Sequence, residues 1–285
     1  MLLAINVGNT NTVLGVFGGS ELKWSWRMST QPERTADELA VIFGGFLEQH
    51  DLSFSRQITG VVIASVVPTS TRALREMTER YFSFPAVVVE PGTRTGIPIL
   101  TDNPREVGAD RIVNALAAYD RYGGPCIVID FGTATTFDAV SAKGEFLGGA
   151  IAPGVQVSNE ALSSATARLP QVELQPPKSV VGKNTVEAIQ SGLVFGAAAE
   201  TDGIVERMRA DLGDSATVVA TGGLAPVVVP SCRNVDHHDE WLTLEGLRLV
   251  FERNVGPPGE LEGGVRAEAH QPGRGGERTP RQPDE

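Results

Sequence analysis

Two short stretches of this chain carry the residue types that hold phosphate. They are Asn6-Val7-Gly8-Asn9-Thr10-Asn11-Thr12-Val13 and Asp130-Phe131-Gly132-Thr133-Ala134-Thr135-Thr136-Phe137, 124 residues apart, each preceded by an apolar run. Gly8 and Gly132 have no Cβ, so a phosphate could reach the backbone amides, and Thr10, Thr12, Thr133 and Thr135 add short hydroxyl donors. Asp130, closing its strand, could hold a cation or a water of a metal's shell. One copy alone reads as an ordinary hairpin turn, because Gly-Asn and Gly-Thr steps punctuate hairpins. Its repetition, once per half, favours two half-domains of similar build that face each other across a phosphate-binding cleft.

The elements that must position these turns follow from periodicity. Strand-like runs recur at 2–7, 12–17, 61–67, 86–90, 126–130, 135–141, 146–151 and 217–221, with helical patterns at 35–49, 69–81, 106–121, 184–212 and 242–254. Thr35 followed by Glu38 is a capping box, in which each side chain satisfies an amide of the other residue. The mixture predicts an α/β or α+β protein with neither a solenoid nor a strict doubly wound repeat.

The 285 residues, 41% hydrophobic and 21% charged, can build two cores. A net charge of −11 excludes non-specific nucleic-acid binding, which needs a basic surface to displace counterions. The amino terminus lacks the positive region of a secretory signal, and no apolar run approaches the ~20 residues of a membrane span, so a cytoplasmic protein is expected. Cys126 and Cys232 lack any metal-ligand spacing and read as packing residues. His237-His238, between Asp236 and Asp239, reads as a solvated acidic loop with no metal. From Gly256 onward, glycine, proline and charge replace aliphatic residues, which predicts a disordered tail over 256–285.

Taken in order, several blocks resemble the type III pantothenate kinases of the acetate kinase, sugar kinase and actin superfamily: NVGNTNT, GADRIVNALAAY at 108–119, DFGTATTFD at 130–138, GGAIAPG at 148–154, KNTVEAIQSG at 183–192 and TGG at 221–223. The resemblance covers about residues 1–255. It implies two tandem actin-like (ribonuclease H-like) α/β domains, 1–122 and 123–255, whose mixed sheets face a nucleotide cleft. The implied reaction is phosphorylation of pantothenate by ATP with Mg²⁺, the first step of coenzyme A synthesis.

Residue by residue, the resemblance assigns Asn6 to Val13 (Asn6, Val7, Gly8, Asn9, Thr10, Asn11, Thr12 and Val13), Thr133 and Gly222 to the nucleotide. It assigns Thr101, Gly108, Ala109, Asp110, Arg111 and Thr185 to pantothenate, and Asp130 to a monovalent cation, K⁺ or NH₄⁺. Thr185 would act on the partner subunit of a homodimer. Asp110 is the candidate base, at the start of a helix whose amides would favour its carboxylate. Arg111 can clamp the substrate carboxylate at two points. Asp138 would cap or orient the second loop.

Two positions depart from the family pattern. Asn6 stands where an aspartate opens the first loop, which removes a full negative charge from metal positioning. Thr101 stands where many members carry tyrosine. These departures keep two alternatives open: a kinase of another small substrate, and a catalytically weakened homologue that senses a ligand as an accessory regulator.

Overall fold

The computed structural model describes residues 1–82 and 84–256. Two five-stranded mixed sheets carry the chain. The first contains β1 (Leu2–Val7), β2 (Asn11–Gly18), β3 (Glu21–Ser29), β4 (Gly60–Ser65) and β5 (Val87–Val88), in the order β3-β2-β1-β4-β5. The second contains β6 (Cys126–Phe131), β7 (Ala134–Val140), β8 (Phe146–Pro153), β9 (Thr217–Thr221) and β10 (His237–His238), in the order β8-β7-β6-β9-β10. Read from β3 and from β8, the two orders are the same. In each sheet the first three strands form an antiparallel meander and the last two run parallel to the first. The duplication seen in the turns therefore extends to both halves.

Helices cover both sheets. α1 (Ala36–Glu48) and α2 (Pro68–Tyr81) follow β3 and β4, and α4 (Val155–Ala165), α5 (Thr185–Leu212) and the short α6 (Ala225–Val228) belong to the second half. α1 begins at the expected capping box: Thr35 N–H donates to Glu38 Oε2 at 2.8 Å, and Glu38 N–H donates to Thr35 Oγ1 at 3.3 Å. The last helix of each half, α3 (Ala109–Tyr122) and α7 (Leu242–Val255), packs against the other between the sheets. α3 lies on β6 and β7, whereas α7 crosses back onto β1 and β4. A Cβ at Gly246 of α7 would stand 2.0 Å from the carbonyl oxygen of Val113 in α3, so only glycine permits this approach.

Strand alternation distributes the core. Leu2 and Ala4 of β1, with Cys126 and Val128 of β6, join the central core around α3 and α7. Leu3 and Ile5 face α1 and α2, while Ile127 and Ile129 face α5 and α6. Period-two alternation then puts Asn6 and Asp130, the next residues of the inner rows, at the mouth between the halves.

Some elements differ from the expectation. β3 was not anticipated, although Gly18-Gly19-Ser20 between two aromatic-rich runs is a hairpin signal. Nor were α4, α6 and β10. The helix expected over 106–121 begins only at Ala109, because Gly108 is extended (φ −58°, ψ 141°) after a 3₁₀ turn at Pro104–Glu106. Of the strand expected over 86–90 only Val87 and Val88 pair. The tail expected over 256–285 lies, beyond Gly256, outside the described residues.

Candidate active site

The two glycine turns meet. Thr10 Oγ1 and Thr133 Oγ1 are 2.8 Å apart, joining the halves at the rim of a cavity of about 250 Å³. Each turn is closed by its glycine, Gly8 N–H donating to Asn11 O at 2.9 Å and Gly132 N–H to Ala134 O at 3.1 Å. The straight alignment of the two sequences slips here by one residue. Val7 pairs with Thr12 across the first turn, but Phe131 pairs with Thr135 across the second, so the first turn is one residue longer. In space Thr10 matches Thr133 and Thr12 matches Thr135.

The sheet decides which loop residues face the cleft. Asn6, Val13 and Arg27 lie side by side on β1, β2 and β3 and all three line the cavity. The next row, Val7, Thr12 and Met28, faces the α1 and α2 side, where Thr12 Oγ1 bonds Thr30 Oγ1 at 2.9 Å. Val7 and Thr12, expected to contact nucleotide, are thus turned away by the pleat, whereas Gly8, Asn9, Thr10 and Asn11 line the cavity.

α3 delivers the acid and the arginine. Asp110 accepts the Arg111 backbone N–H at 2.8 Å and receives no side-chain donor among the described residues. Burial raises its pKa; the Arg111 amide and charge, with its own amide, favour the carboxylate as expected but offset the burial only in part. Asp130 is pushed up to about 7 by burial first and the nearby Asp110 charge second, although Asn114 Nδ2 donates to it at 3.1 Å. Asp138 rises to about 6 for the same first reason, despite its pairing with Arg111.

That pairing changes the reading of Arg111. Its Nε and Nη2 both donate to Asp138 Oδ1, at 2.8 and 2.5 Å, so two of its donors are spent on a buried carboxylate. Asp138 therefore anchors Arg111, which sequence alone left as a capping or orienting role. The guanidinium also lies 5.5 Å from the centre of the Phe146 ring.

Gly222, in the turn after β9, has φ +96°, and a Cβ there would come 2.4 Å from Asp130 Oδ1. This turn and the acid at the end of β6 are built as one unit. Glu240, Trp241 and Thr243, at the start of α7, close the cavity from the far side. None of these three was anticipated, and neither was Arg27; the aromatic residue before an apolar helix was the only signal for them.

Gly108 and Ala109 line a second cavity of about 960 Å³, which shares Val66 with the cleft. Thr101 lines neither, and its buried hydroxyl has no partner among the described residues. Thr185 opens α5, capped by Asn184 Oδ1 accepting Glu187 N–H at 2.9 Å, and lines a separate groove between α4 and α5. Within one chain it does not meet Asp110. Cys126 is buried in the central core, its thiol pushed up to about 12. His237 stacks on Tyr122 with centroids 4.5 Å apart.

No three acidic, histidine or cysteine side chains cluster as a metal cage among the described residues. The fit to a cation rests instead on Asp130, a carboxylate whose charge is disfavoured by burial and by Asp110 until a cation compensates it.

Several known proteins are similar to this chain over most of its length. Proteins described as type III pantothenate kinase from Frankia alni, Streptomyces coelicolor and Acidothermus cellulolyticus are 57%, 56% and 58% identical to the chain. The matches span 90% of this chain and 99 to 100% of those proteins. Among solved structures, a conserved Baf family transcriptional activator from Campylobacter jejuni aligns with a TM-score of 0.51 at 20% identity, over 88% of this chain and 97% of that one. The (R)-2-hydroxyglutaryl-CoA dehydratase component A of Acidaminococcus fermentans gives 0.51 at 15%, over 87% and 95%. At such identity these two support the two-sheet actin-like fold and no activity. The model of the family described as type III pantothenate kinase matches residues 2–207, and with the close relatives it shows that the chain belongs to the type III pantothenate kinase family.

Proposed function

We propose that the chain transfers the γ-phosphoryl group of ATP to the 4′ hydroxyl of pantothenate, the first step of coenzyme A synthesis, with Asp110 as general base. The observation that carries this reading is the meeting of the two glycine-threonine turns at 2.8 Å over a cavity that also holds Asp110 and Asp130. In the transfer, the substrate oxygen attacks the γ-phosphorus in line, its proton passes to an Asp110 carboxylate oxygen, and ADP leaves. A base whose pKa is raised toward the working pH suits that step. Amides and hydroxyls of the two turns orient the phosphates, and Arg111, held by Asp138, presents its remaining edge to the pantothenate carboxylate.

Asp130 would hold a monovalent cation, K⁺ or NH₄⁺, beside the phosphates. Mg²⁺ would be held chiefly by phosphate oxygens, with Asp130 and the Asn6 carbonyl at hand, and would neutralise charge on the transferred group. A second subunit completes the substrate site through Thr185. Val180, Val181 and Val186, close in sequence to Gly182 and Thr185 of that groove, are exposed, which fits a homodimer. Biosynthetic use of ATP supports a cytoplasmic location.

Asn6 favours a second reading, a weakened homologue that senses a ligand. A coupled ADP-release assay with pantothenate, run on this chain and on Asn6→Asp, tests both. Turnover that rises in Asn6→Asp supports the kinase reading; no ADP release from either protein overturns it.

A further inference from the structure

We infer that Arg27 is a further nucleotide-binding residue, a cation reaching from β3 across the cleft to hold the phosphate chain beside the Gly222–Gly223 turn. This rests on the kinase reading, and it concerns a residue that none of the motif blocks contains. The cavity has two cationic side chains in its lining, Arg27 and Arg111. Arg111 is committed to Asp138 by two donors to one oxygen. Arg27 makes no ion pair within 4.0 Å among the described residues, although the chain carries eleven net negative charges.

Register explains why it points where it does. Arg27 pairs with Val13, and Val13 with Asn6, so the guanidinium stands two strands from Asn6 on the cleft face. With asparagine at position 6, no acid on that row competes for it. Its reach is marked from the opposite half, where a Cβ at Gly223 would fall 3.1 Å from Arg27 Nη1. A glycine at that point leaves room for both the guanidinium and a ligand. Asp110, where the transfer occurs, is carried on α3 and not on this turn. Arg27 therefore serves the phosphates that stay with ADP, through the planar fork that arginine offers to phosphate oxygens.

The test is equilibrium binding of ADP and of adenosine to the full chain and to Arg27→Gln and Arg27→Lys, with KM for ATP and kcat measured in parallel. Loss of one charge-assisted contact predicts roughly tenfold to hundredfold weaker ADP binding in Arg27→Gln. Adenosine binding stays within about twofold, since it has no phosphate to lose. Arg27→Lys falls between, as a point charge without the fork, and the ATP defect is expressed in KM more than in kcat. Equal weakening of ADP and adenosine would mark a merely structural role and overturn the inference, as would ADP binding unchanged in Arg27→Gln when the wild-type chain phosphorylates pantothenate. ADP binding lost in Arg27→Gln, while the wild-type chain binds ADP but leaves pantothenate untouched, would sink the kinase reading alone. A wild-type chain that binds no ADP would sink both.

Discussion

Three carboxylates, Asp110, Asp130 and Asp138, share one small region, and burial raises the pKa of each. Among the described residues, only Asp138 has a cation of its own, because Arg111 turns two donors toward it. If Asp110 takes the substrate proton, Asp110→Asn lowers kcat by about 10² to 10⁴ while ADP binding persists, as a coupled assay beside titration calorimetry would show. Asp130 leads to a different expectation. Its folded pKa, about 7, lies above the usual carboxylate value, so the folded state binds its proton more tightly than the unfolded chain does. That contribution is fully present below the unfolded pKa and is lost as pH rises from about 4 through about 7. Asp130→Asn should therefore raise the melting temperature of the ligand-free protein above about pH 7, with the gain shrinking toward about pH 4. Activation by K⁺ should weaken over the same fall in pH, since protonated Asp130 no longer offers the cation a charge.

At the scale of elements, the site depends on the crossing of α3 and α7, because α3 carries Asp110 and Arg111 while α7 begins at the cleft wall. Gly246→Ala would push a methyl into the Val113 carbonyl, 2.0 Å away, and a backbone oxygen in a packed helix has nowhere to retreat. Calorimetry should show a loss of about 1–3 kcal/mol or more, with activity falling as the helices separate. Gly196 in α5 is the control. A Cβ there meets nothing within 4 Å, so Gly196→Ala should stabilise by up to about 1 kcal/mol through helix propensity alone. The phosphate turns obey the same logic. The pleat presents Asn6, Val13 and Arg27 to the cleft and hides Val7 and Thr12, whatever the loop motif suggests.

Across the whole molecule, the repeated sheet order lets two similar halves face each other, and the exchange of their last helices ties them into one core. The groove beside α5 is separate from the cleft, and Val181, next in sequence to its Gly182, is 76% exposed. If that face receives a second copy, Val181→Asp should shift sedimentation from dimer to monomer and raise KM for pantothenate more than KM for ATP. Sedimentation unchanged by the substitution would remove this face from the interface.

Much was determined by the amino-acid order alone. The twin turns, the apolar strands β1 and β6 and the capping box of α1 state their structure locally, because turn chemistry, strand-forming apolar runs and helix capping act over a few residues. Only the tertiary structure decided the rest. Which loop side chains reach the cleft depends on cross-strand register, and that a lone arginine on β3 stands beside a glycine almost two hundred residues away depends on how the halves meet. That the pKa of Asp110 rises, against the pull of its helix position, has the same cause. A helix start is visible in sequence, whereas burial, which outweighs it here, is a property of everything packed around the carboxylate.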